Sequence, residues 1–287
     1  MTVLDELGLP GLPEPLPAGI VDNHTHTLST QEFSKLAPGE SLALATQVGV
    51  THFVDVGYDV ASSRHALAFA AAQPTVAAAV ALHPNDAATI ANRDGDEPLE
   101  ATLAEIASMV PEARAVGETG LDFYRTRDDD GKRAQERSFR RHIEWAKRHD
   151  RTLVIHDRDA HDDVLRVLDD EGAPERVVMH CFSGDVDFAR ACLERGFWLS
   201  YPGVVTFGSA PNLRRAAAVT PRERILVETD APYLTPKPER GKPNAPYLLP
   251  HTVRFLADLF DEDLAGFCEQ VTANTWAAYG GAWGDDA

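Results

Sequence analysis

Histidine and carboxylate residues stand at the ends of short apolar runs at widely separated points of this 287-residue chain. Imidazole nitrogens and carboxylate oxygens are ligands that divalent cations such as zinc, manganese and magnesium take in proteins. Any one of these residues could be a buried core histidine or a surface carboxylate, but chance does not readily place them at five separate run ends. The pattern predicts a metal site with the ligands His24, His26, Glu118, His156, His180 and Asp230.

The first two histidines lie in the sequence Asp22-Asn-His-Thr-His. Successive side chains of a β-strand alternate between its faces, so His24 and His26 should point the same way and could bind one ion. An H-x-H pair alone is weak evidence, because paired histidines in loops are common and usually bind nothing. The other run ends give this pair its weight. Asp22 and Glu228 share the parity of the ligands, and we expect them to orient the imidazoles.

Six ligands exceed the need of one tetrahedral ion that keeps a position for water, so a pair of ions about 3.5 to 4 Å apart is plausible. Glu118 is the candidate bridging carboxylate between them. A bound ion lowers the pKa of its water to about 7, and Asp230 could orient that water and take its proton. Glu118 and Asp230 are therefore the candidate catalytic residues. The alternative for Asp230 is the N-cap of a helix.

Two further residues are placed to contact an anionic substrate. Arg158 follows His156 by two positions and should face the same way, where a guanidinium could hold a phosphate through two hydrogen bonds. His83 ends another run, in Leu82-His-Pro, and could donate to the same anion. The alternatives are a surface ion pair for Arg158 and a turn residue for His83.

The elements that must position these residues are eight short apolar or β-rich runs, separated by stretches that can form helices. This alternation predicts an α/β fold, a (β/α)8 TIM barrel with the metal site at the C-terminal face of its strands. A doubly wound open sheet is the alternative. Lys132 to Asp150 has helical spacing, and Pro232 to Pro250 is predicted to be a long loop. The runs are Gly19 to His26, Val50 to Gly57, Val76 to His83, Arg114 to Leu121, Thr152 to Arg158, Arg176 to Phe182, Phe197 to Val205 and Arg224 to Pro232.

Length and composition predict one globular domain over residues 1–287, with an extended N-terminal segment at 1–18. The net charge is 27 − 45 = −18, so bulk charge should not attract a nucleic-acid backbone. Three cysteines without C-x-x-C spacing argue against disulfides and thiolate zinc sites. With no export signal or membrane anchor recognised, we expect a cytoplasmic protein that does not bind membranes, with a monomer favoured.

The motifs that carry these residues resemble those of the TatD-like metal-dependent deoxyribonucleases, a branch of the amidohydrolase superfamily. The resemblance implies a barrel with two metal ions held by the six ligands, and hydrolysis of phosphodiester bonds in DNA. It also implies that Arg158, His83 and Asn244 contact the substrate. This chain has Thr25 where many members carry Cys, and Ala245 where many carry Glu. The matching stretches are Asp22-Asn-His-Thr-His, Leu82-His-Pro, Gly117-Glu-Thr-Gly-Leu-Asp, Ile155-His-Asp-Arg-Asp-Ala, Met179-His-Cys-Phe-Ser-Gly, Glu228-Thr-Asp-Ala-Pro-Tyr-Leu and Arg240-Gly-Lys-Pro-Asn.

The expected partner is DNA or a short oligonucleotide, and the acidic surface favours single strands that reach into a pocket. Two alternatives remain open at the level of sequence. One is an ester hydrolase of the same superfamily, such as a D-aminoacyl-tRNA deacylase, which would use the same activated water. The other is a barrel that binds metal without turnover, although the presence of Asp230 beside the ligands argues against it.

Overall fold

The computed structural model describes residues 2–284 of the chain, in which strands and helices alternate. The strands are β1 Ile20–Thr25, β2 Val50–Val56, β3 Val76–Val80, β4 Ala115–Asp122, β5 Thr152–Arg158, β6 Val177–Met179, β7 Trp198–Tyr201 and β8 Ile225–Val227. The helices are α1 Val3–Leu7, α2 Thr27–Ser34, α3 Pro38–Gln47, α4 Val60–Ala72, α5 Pro84–Asp94, α6 Asp96–Met109, α7 Asp129–Arg148, α8 His161–Glu171, α9 Val186–Glu194, α10 Pro211–Val219, α11 Leu249–Phe260 and α12 Leu264–Ala278.

Within the described residues, eight strands form one sheet in the order β1 to β8. The order follows the chain, as expected when each strand is connected to the next parallel strand by a crossover that contains helix. The α/β fold of the (β/α)8 barrel class is therefore confirmed. Each strand lies at one of the predicted apolar runs. Strands of a parallel sheet are buried on both faces, which is why short apolar runs predict them.

The contacts of the chain group into two compact units. The first unit comprises the residues up to Asp55 together with Gly184–Leu193 and Leu199–Ala277. In it β1 pairs with β2, and β7 pairs with β8, both in parallel. A further parallel bridge joins Thr25 to Ala231, so the chain after β8 continues beside the end of β1.

The second unit comprises Val56–Ser183, Glu194–Trp198 and the residues from Ala278 onward. Strands β3, β4, β5 and β6 pair in parallel in that order, so their C-terminal ends lie at one edge. Helix α7 matches the helix predicted from spacing, and it buries Phe139, Ile143 and Ala146 on one face.

Some run ends differ from the strands that form. Strand β6 stops at Met179 and β8 stops at Val227, so His180 and Asp230 lie in loops beyond the paired segments. Cys181 and Asp230 have positive φ angles of 45° and 54°, which end strand geometry at these points. The alternation of side chains along a strand therefore does not by itself orient these two positions.

The predicted extended segment at the N-terminus is partly helical. Thr2 caps α1 through a capping box with Asp5, and Gly8 ends the helix in the left-handed conformation. The remainder of the segment runs without regular structure up to β1. The loop predicted at residues 232–250 is confirmed over most of its length, since α11 begins at Leu249. Among residues 2–284, no helix is both long and apolar enough to cross a membrane.

Candidate metal centre

In the first unit, His24 of β1 and His26, which directly follows this strand, both approach the carboxylate of Asp230. The Nε2 atom of His26 lies 3.4 Å from Oδ1 of Asp230, and Nε2 of His24 lies 4.0 Å from the same oxygen. The two imidazole centroids are 5.0 Å apart. His24 is fully buried and the side chain of Asp230 is 13% exposed. The end of β1, together with His26, therefore carries two nitrogen donors and lies beside one oxygen donor, although Asp230 follows His24 by 206 positions in the chain.

Backbone hydrogen bonds hold Asp230 beside β1. Its N–H donates to the carbonyl of His24 at 2.9 Å, and the N–H of His26 donates to the carbonyl of Ala231 at 3.0 Å. These bonds continue the pairing of β1 with the chain after β8. The side chain of Asp230 is directed by this pairing, although the residue itself lies outside the strand.

The carboxylate of Asp22 supports the same segment from within β1. It accepts hydrogen bonds from the N–H and the hydroxyl of Thr229, at 2.9 and 2.5 Å. Burial raises the pKa of Asp22 to about 7, and these hydrogen bonds oppose that rise. Within residues 2–284, Asp22 thus accepts hydrogen bonds from backbone and hydroxyl groups. It braces the loop that carries Asp230, whereas it was expected to orient an imidazole. Glu228 accepts a hydrogen bond from the hydroxyl of Ser200.

In the second unit, Glu118 lies at the centre of three imidazoles. Its Oε2 atom is 3.1 Å from Nε2 of His180, 3.4 Å from Nδ1 of His156 and 4.0 Å from Nε2 of His83. One ligand atom each from His83, Glu118 and His156 lies within 4.8 Å of the others. Three predicted site residues and the expected substrate contact His83 are therefore neighbours.

A local irregularity in β4 positions Glu118. The pairing of β4 with β5 shifts register between Val116 and Thr119, which is the bulge that contains Glu118. A side chain at Gly117 would lie 2.5 Å from Cβ of Val154, and one at Gly120, where φ is 135°, would lie 2.1 Å from the carbonyl oxygen of His156. Only glycine allows β5 to come this close on either side of Glu118.

The charges of this cluster are set by its neighbours. Burial would raise the pKa of Glu118, but the surrounding histidines, His83 and His180 foremost, hold it well below its ordinary value. Burial would lower the pKa of His156, but hydrogen bonding to Asp122 and Glu118 raises it. Glu118 is therefore an anion at neutral pH, as a metal ligand must be.

Asp122, which belongs to the motif Gly117-Glu-Thr-Gly-Leu-Asp and was not predicted as a site residue, contacts one of the candidate ligands. Its Oδ2 lies 3.4 Å from Nε2 of His156 and accepts a 2.9 Å hydrogen bond from Asn85. A carboxylate at this nitrogen favours the proton on Nε2, which leaves the Nδ1 lone pair for a cation. The available signal was its parity, because Asp122 stands four residues after Glu118 at the end of the same strand.

A hydrogen bond to Nδ1 of His83 indicates that this residue acts as a hydrogen-bond donor and not as a metal ligand. Its Nδ1 atom accepts the N–H of Asn85 at 3.1 Å. Burial lowers the pKa of His83 to about 3, so the ring is neutral at pH 7. In this tautomer the proton sits on Nε2, which can donate to an oxygen but has no lone pair to offer a cation.

Arg158 and Asn244 have different surroundings. Arg158 ends β5 and is partly exposed, with its Cζ atom 3.9 Å from the ring centroid of Tyr124. Asn244 is fully buried, and its Nδ2 donates to the carbonyls of Thr229 and Tyr233. Asn244 thus braces the loop after β8. Its expected contact with substrate stays a prediction, and its burial does not favour that contact.

The donor atoms suit a divalent cation. A tetrahedral ion with bonds of about 2.0 to 2.2 Å separates its ligand atoms by about 3.3 to 3.6 Å. The separations of 3.4 Å from Asp230 to His26, and of 3.1 and 3.4 Å from Glu118 to His180 and His156, fall close to this range. All of these donors are nitrogen or oxygen, a set that suits zinc, manganese or magnesium and does not choose among them.

Comparison with known proteins decides the family. The sequence profile described as TatD related DNase matches residues 21–280. The chain belongs to the TatD family. It is 42% identical over 269 residues to the "uncharacterized metal-dependent hydrolase TatD" of Mycobacterium tuberculosis, covering 92% of this chain and 99% of the relative. It is 34% identical to "YabD", described in the same words, of Bacillus subtilis, covering 89% and 96%.

Solved structures agree with the family assignment. The crystal structure of YJJV, a TatD homologue from Escherichia coli, superimposes with a TM-score of 0.80 at 25% identity, over 92% of this chain and 98% of that one. A hydrolase of the TatD family from Entamoeba histolytica gives a TM-score of 0.75 at 18% identity, over 92% and 99%, and supports the fold alone. This TatD-family protein is therefore a metal-dependent hydrolase.

Proposed function

We propose that this TatD-family protein hydrolyses phosphodiester bonds of DNA, acting on short single strands as an exonuclease in the cytoplasm. The observation that carries the proposal lies in the second unit, where two groups suited to an anion accompany Glu118 and its histidines: His83 lies 4.0 Å from Glu118, and Arg158 follows His156 by two positions on β5. His83 offers an Nε2 proton, and Arg158 has no carboxylate partner among the described residues. A hydrolase for neutral esters has no evident need of both. The cytoplasmic location rests on the sequence alone.

In this proposal His24, His26, Glu118, His156, His180 and Asp230 hold one or two divalent cations, which zinc, magnesium or manganese could provide. When bound, the cations would polarise a phosphoryl oxygen and lower the pKa of a water molecule. Glu118 contributes as an anion, because its pKa lies well below the ordinary value.

The remaining roles belong to side chains. Asp230 orients the attacking water and accepts its proton, which its partial exposure allows. His83 donates from Nε2 to a phosphate oxygen, and Arg158 binds the same group through its guanidinium edge. Asn244 holds the loop after β8 in place through its two backbone hydrogen bonds. The proposed partner is a DNA strand or oligonucleotide, and we expect a monomeric protein that does not bind membranes.

A substrate panel tests this function. The purified protein, with its metal content measured by mass spectrometry, is assayed on a short single-stranded oligonucleotide, on bis(4-nitrophenyl) phosphate and on the neutral ester 4-nitrophenyl acetate. We expect turnover of the two phosphodiesters and shortening of the oligonucleotide from one end. Turnover of the neutral ester or of a D-aminoacyl-tRNA, without phosphodiester cleavage, would replace the nuclease by a deacylase. Bound metal without any turnover would indicate a binding protein.

A further inference from the structure

Tyr124 and Arg158 meet at the ends of two neighbouring strands of the second unit. Asp122 of β4 is paired with Arg158 of β5, and the N–H of Phe123 donates to the carbonyl of Arg158 at 2.9 Å. Tyr124 follows in the turn after β4, which Asp122 closes by accepting the N–H of Arg125 at 2.9 Å. Strand pairing and turn thus place the tyrosine ring beside the arginine side chain.

The contact between the two side chains is a stack. The Cζ atom of Arg158 lies 3.9 Å from the centroid of the Tyr124 ring, and Tyr124 as a residue is 48% exposed. Arg127 is farther from the same ring, at 5.9 Å, and its Nε donates to the carbonyl of Tyr124. Arg158 is therefore the cation that the ring face holds.

Arg158 has no carboxylate partner within residues 2–284, unlike several arginines of the neighbouring helices. Arg140 of α7, for example, lies 2.7 Å from Glu136, 3.1 Å from Asp170 and 2.5 Å from Glu171. Among residues 2–284, no carboxylate oxygen lies within ion-pair distance of Arg158. Its guanidinium donors are therefore not engaged by a carboxylate within this range.

The geometry of a guanidinium explains why an aromatic partner suits this position. Stacking on a ring uses the flat face of the group, whereas a phosphate is bound by N–H donors along its edge. A carboxylate partner would occupy those donors and compete with the phosphate. Tyr124 can therefore restrain Arg158 while its donors remain available.

We propose that Tyr124 is a positioning residue, which holds the guanidinium of Arg158 in place to bind a phosphate group of the substrate. The inference deepens the proposed function and rests on it, because it takes the ligand of Arg158 to be phosphate. It predicts that loss of the aromatic ring weakens recognition of phosphate and leaves the chemical step intact.

The test compares Tyr124→Leu, which removes the aromatic face, with Tyr124→Phe, which keeps it. Binding of thymidine 5′-monophosphate is measured by calorimetry, and KM and kcat are measured with bis(4-nitrophenyl) phosphate. We expect Tyr124→Leu to weaken binding and raise KM about three- to tenfold, the scale of one cation–π contact, with kcat little changed. Tyr124→Phe should restore both values to within about twofold of the wild type.

A double-mutant cycle identifies Arg158 as the residue through which Tyr124 acts. In an Arg158→Ala background, Tyr124→Leu should have no further effect on binding or on KM. The same loss in both backgrounds would overturn the inference, as would an unchanged KM in Tyr124→Leu or absent nucleotide binding by the wild type. Phosphodiester cleavage with an unchanged KM in Tyr124→Leu would refute the inference alone. Nucleotide binding that depends on both residues, without phosphodiester cleavage, would refute the proposed function alone.

Discussion

The hydroxyl of Thr229 donates a 2.5 Å hydrogen bond to Oδ2 of Asp22, a residue 207 positions earlier in the chain. Both residues are buried, and Thr229 immediately precedes Asp230. The bond therefore connects β1, which carries His24 and leads directly to His26, to the loop that carries Asp230.

The first prediction concerns this bond. Thr229→Val keeps the shape of the side chain and removes the donor, so a buried oxygen of Asp22 loses its partner. We expect the free energy of unfolding to fall by about 1 to 3 kcal/mol, as measured by urea denaturation. Thr229→Ser retains the hydroxyl and should lose markedly less. Equal losses for the two variants would show that packing of the methyl group, and not the hydrogen bond, matters here.

The second prediction concerns Asp230 as the proton acceptor. Asp230→Asn keeps an oxygen near His26 but cannot take a proton from water. We expect kcat on bis(4-nitrophenyl) phosphate to fall about 10²- to 10⁴-fold while some metal remains bound. Asp187→Asn, at a side chain that is 91% exposed on α9, is the matched control and should behave as the wild type. Near-normal activity of Asp230→Asn would remove this residue from the mechanism.

The third prediction concerns Asp122, which lies 3.4 Å from Nε2 of His156. Asp122→Asn removes the negative charge that favours a proton on that nitrogen. We expect metal affinity to fall about 10- to 100-fold, measured by competition with a chelating dye. Asp162→Asn on the exposed side of α8 is the control. Unchanged affinity in Asp122→Asn would mean that His156 needs no such support.

The fourth prediction concerns pH and His142, a buried residue of α7. Its Nδ1 donates to the carbonyl of Ser138 at 2.7 Å, and its Nε2 accepts the N–H of Leu82 at 3.1 Å. Burial lowers its pKa from 6.5 to about 4, so protonation favours the unfolded chain. Its contribution to stability is complete above pH 6.5 and is lost as the pH falls towards 4, by up to about 3 kcal/mol.

The measurement is the free energy of unfolding between pH 7 and pH 4 for the wild type and for His142→Gln, which can still accept the N–H of Leu82. Other groups titrate equally in both proteins, so the difference between the two curves isolates His142. We expect the variant to lose less stability across this window. Parallel curves would contradict the assignment of a neutral buried histidine.

The fifth prediction concerns metal removal. A chelator should abolish hydrolysis and lower the melting temperature, because cations bound to the folded state alone stabilise it. Readdition of zinc, manganese or magnesium should restore both, and the ion that does so at the lowest concentration is the best candidate for the native metal. Full activity after exhaustive chelation would contradict the metal-dependent mechanism.

Much of this architecture was predictable from local sequence. Short apolar runs identified all eight strands within residues 2–284, and helical spacing identified α7 to within a few residues. The six proposed ligands were found because each follows such a run. The sequence alone carries these signals, because burial of both faces of a strand, or of one face of a helix, requires apolar side chains at positions that are close in the chain.

The contacts made by the site residues were decided by tertiary structure. Asp230 lies beyond the end of β8 at a positive φ angle, and its carboxylate is positioned by the backbone bond to His24 and by the contacts that hold its loop. The roles of Asp122 and Asn244, and the stack of Arg158 on Tyr124, depend on partners in other segments. Periodicity reports which side of an element is buried, whereas the partner of a polar side chain depends on which distant residue the fold places within about 3 Å of it.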